Sequence, residues 1–241
     1  MGHEFSSSEE LTVEATPDEV WAAIATGPGI DSWFMGRNEV DPGQTVRQAF
    51  GGYTPEHTVS AWEPGARLVY GSGPAPDGRT VAFEFLIEGR DRGSTVVRVA
   101  TSGFLPGDDW ADEFEAMTRG NALFLRTLAT YLDHFAGRFA TPVTAFGPMI
   151  TDWPRTRVKL VAAIGRDGDR VRFSPDGLPP VDGVVYFENE DTIGIRADDA
   201  IYRFMRGFRG PVMACHHIFS DISPESTEQA WRAWLNAKDL T

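Results

Sequence analysis

The densest group of ligand-type side chains in this 241-residue chain is Cys215-His216-His217. On a strand, Cys215 and His217 share a face, and a third ligand from elsewhere would complete a zinc-type site. Two ligands leave such a site half built, so the expectation is a buried cysteine beside two strand histidines, with no metal. Glu84 and Glu88 share one face of a strand but lie two pleats apart, too far for a directly hydrogen-bonded acid pair. They read as part of a solvated sheet face. His57 and His134 read as surface residues. The glycines at 27–29, 51–52 and 71–73 fit neither the P-loop nor the dinucleotide-binding pattern, and no GxSxG elbow occurs. No catalytic residue and no cofactor is assigned. The remaining candidates are aromatic: Trp33, Phe34, Phe83, Phe85 and Phe124 either line a ligand pocket or fill a core.

These residues need a long element to gather them, and the stretch from Trp110 to Phe139 supplies it. Its apolar residues fall at Trp110, Phe114, Met117, Phe124, Leu128, Leu132 and Phe135, which draws one stripe along an α-helix. Asp108, Asp109, Asp112 and Glu113 crowd its start, where the macrodipole favours them; His134 and Arg138 sit near its end, with Gly137 as the stop. Two residues break the stripe. Gly120 lowers helix stability by roughly 1 kcal/mol relative to Ala. Asn121 puts an amide between Met117 and Phe124, where the period asks for a hydrocarbon. It needs a partner, either a backbone group on a strand or on the loop from Gly103 to Gly107, or a ligand's carbonyl or hydroxyl. In the second case Gly120 leaves room for the approach. Met117, Asn121, Phe124 and Leu128 join the aromatic residues as candidate ligand contacts.

Before this helix the pattern is mostly strands. Glu10–Glu14 reads as a short one. Thr16-Pro17-Asp18-Glu19 is a capping box with proline at the first helical position, and Val20, Ala23 and Ile24 form the buried face of the helix it opens. Gly27-Pro28-Gly29 ends that helix, and 30–34 begins a second short one presenting Trp33 and Phe34. The period then drops to two, with strands expected at 38–40, 45–50, 57–62, 67–71, 80–88 and 94–101, separated by turns such as Pro64-Gly65 and Asp91-Arg92-Gly93. Val81, Phe83, Phe85 and Ile87 share the face turned to the long helix, opposite Glu84 and Glu88.

The words VEATPDEVWAAIATGPGIDSWF, AWEPGARLVY and VAFEFLIEGRDRGSTVVRVATSGF, followed by the long helix, resemble the heat-shock protein 90 ATPase activator-like family of the SRPBCC superfamily, whose relatives include START and Bet v proteins. The resemblance runs over about residues 8–136. It implies an α+β helix-grip fold, a curved antiparallel sheet wrapped around a long C-terminal helix over an apolar cavity. It implies no universal catalytic residues: members bind lipids, polyketides or other hydrophobic ligands, and a minority catalyse aromatic cyclisation or hydrolysis. Where the family often has Gly-Trp in that helix, this chain has Gly120-Asn121.

Past Phe139 the resemblance fades. The expected organisation is a helix-grip domain over 8–137, a linker or irregular layer over 138–157 with three prolines, and a second, smaller α+β unit over 158–241. That unit has strands at 158–164, 170–174, 183–187, 192–196, 200–205 and 212–219. A closing helix follows Ser223-Pro224, with Ala230, Trp231, Trp234 and Leu235 on its apolar face. The unit is a candidate degenerate copy of the first, although no residue-level repeat supports this.

Composition bounds the function. Residues 1–139 carry 10 basic and 21 acidic side chains, net −11, which argues against nucleic-acid binding; residues 140–241 carry 12 and 14, net −2, which suits packing or a homodimer through the C-terminal unit. No run of 18 uncharged apolar residues is present, so no membrane insertion is expected, and MGHEFSSSEE lacks the regions of a secretory signal. The single Cys215 suits a reducing cytoplasm. The expectation is a non-catalytic protein that binds a hydrophobic small molecule. A cyclase- or hydrolase-type enzyme would need titratable groups on the aromatic face, and a chaperone-regulating partner module is the third reading.

Overall fold

The computed structural model describes residues 2–50, 52, 54–90, 93–108, 110–207, 210–238 and 240. Gly51, Asp91, Arg92 and Asp109, named above, lie outside the described residues. The chain is α+β and divides into two compact units, Met1–Phe139 and Ala140–Thr241. Among the described residues each unit contains one seven-stranded antiparallel sheet, and the chain has five helices. None of these helices is long and apolar enough to cross a membrane.

In the first unit, β1 (His3–Val13) is followed by α1 (Pro17–Ala25), α2 (Gly27–Asp31), β2 (Arg37–Asp41), β3 (Thr45–Ala49), β4 (Glu56–Glu63), β5 (Arg67–Gly71), β6 (Thr80–Gly89), β7 (Thr95–Leu105) and α3 (Trp110–Phe135). The strand order is β1-β7-β6-β5-β4-β3-β2, a meander closed by the first strand beside the last. β1 is longer than its sequence suggests. Ser6, Ser7 and Ser8 show no alternation, yet β1 pairs with β7 in unbroken register from His3 opposite Leu105 to Val13 opposite Thr95. Backbone pairing, not side-chain pattern, sets its length.

The capping box forms: Thr16 Oγ1 accepts from the Glu19 N–H at 3.3 Å, and the Thr16 N–H donates to Glu19 Oε2 at 2.8 Å. The expected break at Gly27-Pro28-Gly29 is the first turn of α2. Thr26 caps it by accepting the Gly29 N–H at 3.0 Å, and a Cβ on Gly29 would sit 1.9 Å from the Ala22 carbonyl oxygen, so only glycine lets α2 fold back on α1. The indole of Trp33 then donates to the Ala23 carbonyl at 3.0 Å, which locks the side chain under α1.

α3 is uneven along its length of roughly 40 Å. From Trp110 to Ala122 no residue is fully buried; from Leu123 to Phe135 most are, with Arg126, Asp133 and His134 exposed. Its first half is held by ring contacts of Trp110 with His3 and Phe114 with Phe5, and by an ion pair between Glu113 and Arg79. Gly137 ends the run with φ +76°, the left-handed conformation that favours glycine.

The second unit runs β8 (Thr141–Met149), α4 (Trp153–Ala163), β9 (Arg166–Asp167), β10 (Arg170–Phe173), β11 (Val181–Glu188), β12 (Thr192–Arg196), β13 (Ala200–Arg206), β14 (Pro211–Ile218) and α5 (Pro224–Ala237). Its order, β8-β14-β13-β12-β11-β10-β9, is the topology of the first unit. The expectation of a linker over 138–157 is therefore wrong. Thr141–Met149 is the sheet's own edge strand, paired along β14, and prolines are tolerated there because an edge strand has donors to spare. The strand expected at 158–164 is also wrong. Asp152 caps a helix by accepting the Arg155 N–H at 3.0 Å, and Trp153, Thr156, Leu160 and Ile164 are buried at helical spacing while Val158 is 71% exposed. The core between this sheet and α5 is filled by Trp231, Trp234, Phe173, Phe204 and Tyr202.

Candidate functional site

In the first unit the corresponding space between sheet and closing helix is not filled. A cavity of about 30 Å³ lies there. Trp33 and Phe34 wall it from the segment after α2, Gln48 from β3, Tyr70 from β5, Phe83 and Phe85 from β6, Val99 and Thr101 from β7, and Asn121, Phe124 and Leu125 from α3. Strand register explains the sheet's share. Phe83 lies opposite Tyr70 on one side and Thr101 on the other, and Phe85 lies opposite Val99, so one period-two face of three strands points at α3. Phe34 meets Phe124 with ring centroids 4.3 Å apart, which joins the α2 segment to the helix.

Six of the eight residues expected at a ligand site line this cavity: Trp33, Phe34, Phe83, Phe85, Asn121 and Phe124. Met117 does not, because it is on the half-buried stretch one turn earlier. Leu128 does not, because it is fully buried in the packed half of α3. Gln48, Tyr70, Val99, Thr101 and Leu125 escaped the sequence reading. Tyr70, Val99 and Thr101 would follow from extending the Phe83 and Phe85 face across the register. Leu125 lies off the apolar stripe and is reached because the second half of α3 is buried over more than that stripe.

Asn121 has a partner that the sequence did not suggest. Its Nδ2 donates to Thr101 Oγ1 at 3.3 Å, a side-chain hydroxyl on β7. Gly120 makes no close approach: an added Cβ would meet nothing within 4 Å. The room expected there serves no neighbour.

The chemistry of the wall is neutral. Among the described residues, no carboxylate and no basic side chain lines the cavity. Glu84 is on the other face, accepting from Arg67 Nε at 2.8 Å, and Glu88 pairs with Arg90. Burial raises the Tyr70 phenol above its ordinary range, so it stays protonated. His134 is exposed as expected, but His57 is not a surface residue. It is only 7% exposed, with its ring 5.7 Å from Tyr70 and 6.3 Å from Phe83, both cavity residues. Burial lowers its pKa and keeps the imidazole neutral. The alternation of β4 carries it inward, a signal that a lone histidine on a polar strand hides.

The Cys215 cluster lies in the second unit. Cys215, His216 and His217 are all buried, and among the described residues no group of three or more His, Cys, Asp or Glu side chains comes together as metal ligands. Desolvation pushes the Cys215 thiol up to about 11, far from a reactive thiolate. His216 points the other way along the strand's alternation, into the core against Trp231 at 4.4 Å.

No protein-family model and no curated protein matches the chain. Solved structures do. The Aha1 dimer from Colwellia psychrerythraea is 21% identical, with a TM-score of 0.45, over 54% of this chain and 96% of its own. DynU16, from the dynemicin biosynthetic locus, is 21% identical with a TM-score of 0.45 over 98% of this chain and 97% of its own. The di-domain ARO/CYC BexL from the BE-7585A biosynthetic pathway is 12% identical with a TM-score of 0.47 over 90% of this chain and 85% of its own.

Proposed function

We propose that the first unit is a helix-grip domain that binds a hydrophobic small molecule of lipid, polyketide or aromatic type between its sheet and α3, without catalysing a reaction on it. One observation carries the reading. The space that five aromatic side chains fill in the second unit is an aromatic-walled cavity in the first, with only neutral polar groups on its surface. Acid–base chemistry needs a titratable group within hydrogen-bond reach of the substrate, and among the described residues no carboxylate is on that wall. His57, behind Tyr70 and Phe83, is the observation that favours the alternative of a cyclase- or hydrolase-type enzyme.

At about 30 Å³ the cavity has room for roughly two waters. A ligand enters by displacing part of the wall, and the first half of α3, which has no fully buried residue, is the element that yields most cheaply. Native mass spectrometry of protein purified from its own host tests the reading. The expected result is an adduct of small-molecule mass that disappears on denaturation and is absent from Val99→Phe, where the added ring fills the cavity. A wild-type protein with no adduct and no saturable uptake of apolar probes overturns it. A homodimer through the C-terminal unit fits the exposed Phe146 and Met149 on edge strand β8, and sedimentation of the whole chain tests it.

A further inference from the structure

The cavity's sheet face continues past its aromatic residues. Gln48 lies opposite Asn38 on β2, and Val46, two residues before Gln48, lies opposite His57 on β4. Asn38, Gln48 and His57 therefore share the face of Tyr70 and Phe83. Asn38 is 6% exposed and His57 7% exposed, so both are more than nine-tenths buried. Each has one buried polar atom without a hydrogen-bond partner among the described residues, Asn38 Oδ1 and His57 Nδ1.

The chemistry of these two atoms is specific. Asn38 spends its amide donors on Asp31 Oδ1 at 2.8 Å and the Met35 carbonyl at 3.4 Å, so what it has left is an acceptor. His57 is a neutral ring, whose Nδ1 accepts when Nε2 carries the proton. With the proton on His57 Nε2, Asn38 Oδ1 and His57 Nδ1 are orphaned acceptors beside an apolar cavity, and each calls for a donor that no described residue provides. The charge of that donor follows from the wall, which offers no cation for an anionic head and no carboxylate for a cationic one. Burying an uncompensated charge there would cost far more than one hydrogen bond returns.

We propose that the ligand is an apolar molecule bearing a neutral hydroxyl, an alcohol or phenol, and that this hydroxyl donates its proton to His57 Nδ1 at a polar end of the cavity. The proposal rests on the apolar-cavity reading above and adds the head group. Tyr70 and Phe83 separate His57 from the present cavity, so they move aside with the wall when ligand enters. Gln48, between Asn38 and His57 on the same face, is placed to donate its amide to the same hydroxyl oxygen, and Asn38 Oδ1 takes a separate donor, a water or a second ligand hydroxyl.

The test titrates the whole chain with 2-naphthol, 2-methoxynaphthalene and 2-naphthoate, read by quenching of tryptophan emission, since Trp33 is part of the wall. Satisfying a buried orphaned acceptor predicts that 2-naphthol binds roughly tenfold more tightly than its methyl ether, with the naphthoate weakest. In His57→Phe, which keeps a ring against Tyr70 and Phe83, the ratio should fall to about one; in His57→Gln, which keeps an acceptor, much of it should return. Equal binding of naphthol and ether by the wild type, tighter binding of the naphthoate, or a ratio that survives His57→Phe overturns the head-group assignment and leaves the apolar cavity standing. Failure of all three to bind saturably overturns the cavity reading itself.

Discussion

Lowering the pH should destabilise the second unit through one residue, His216. The ring is 1% exposed and meets Trp231, Tyr202 and Phe204 at centroid distances of 4.4, 5.0 and 5.2 Å. Its Nδ1 accepts the Arg203 N–H at 3.2 Å, and its Nε2 has no partner among the described residues. Desolvation first, and the neighbouring Arg203 guanidinium second, push its pKa from 6.5 down to about 3. The folded chain therefore refuses a proton that the unfolded chain accepts throughout the interval between those values. Stability is whole above pH 6.5 and is lost as pH falls toward 3, at about 1.4 kcal/mol per pH unit. Between pH 7.5 and pH 5 the loss from this residue is about 2 kcal/mol. Urea unfolding at both pH values, followed by tryptophan fluorescence, measures it. The surface carboxylates contribute to the raw slope, so the informative quantity is the difference from His216→Gln, which keeps an acceptor for the Arg203 N–H but cannot titrate. The variant should lose about 2 kcal/mol less over the same interval. Identical losses would show that the three aromatic rings stabilise the imidazolium as a cation, and the desolvation argument would fall.

Gly120→Ala should stabilise the first unit by about 1 kcal/mol, because the added methyl meets nothing and helix propensity alone acts; thermal unfolding that shows no gain would mean that α3 is kinked or strained there. Asn121→Leu should cost roughly 0.5–1.5 kcal/mol by removing the partner of Thr101, and Asn121→Leu with Thr101→Val should recover most of it, since replacing both ends leaves no orphan. A double variant as unstable as the single, by denaturant titration, would assign Asn121 another buried partner. Residues 2–139 expressed alone should melt cooperatively, whereas residues 8–139 should melt at a lower temperature, having lost the β1 pairing from His3 to Ser7. Equal melting temperatures would show those pairs to be dispensable.

The sequence carried the local rules well and the long-range ones poorly. The Thr16 capping box, the extent of β5 and β12, the stop at Gly137 and the inward face of Phe83 and Phe85 were all legible, because each depends on residues within one or two turns or along one strand. The 138–157 segment was misread for the same reason. Its prolines signal a break locally, and only the availability of β14 as a partner makes Thr141–Met149 a strand. At 158–164 a run of valine, leucine and isoleucine suits either period, and the cap at Asp152 decided it. The shared topology of the two units left no residue-level trace, since a meander closed by its first strand is specified by which edges pair and not by any one side chain.

The candidate site divides in the same way. Helical and strand periodicity determined that Phe83, Phe85, Asn121 and Phe124 face inward, since period is a property of consecutive residues, whereas Trp33 and Phe34 lie past the end of α2 and are turned inward by tertiary contacts. Which inward residues line a cavity and which fill a core was decided by tertiary structure alone. Leu128 and Phe124 belong to one stripe, yet one is packed and the other borders open space, because Leu128 lies one turn further along α3, where no cavity is left beside the helix. His57 shows the limit most plainly. Nothing within its strand marks it as buried, and it becomes an orphaned acceptor near a cavity only through Val46 on one side and Tyr70 and Phe83 on the other. Inward direction is a local property that the chain carries residue by residue; what lies inside is set by how far two distant surfaces can close.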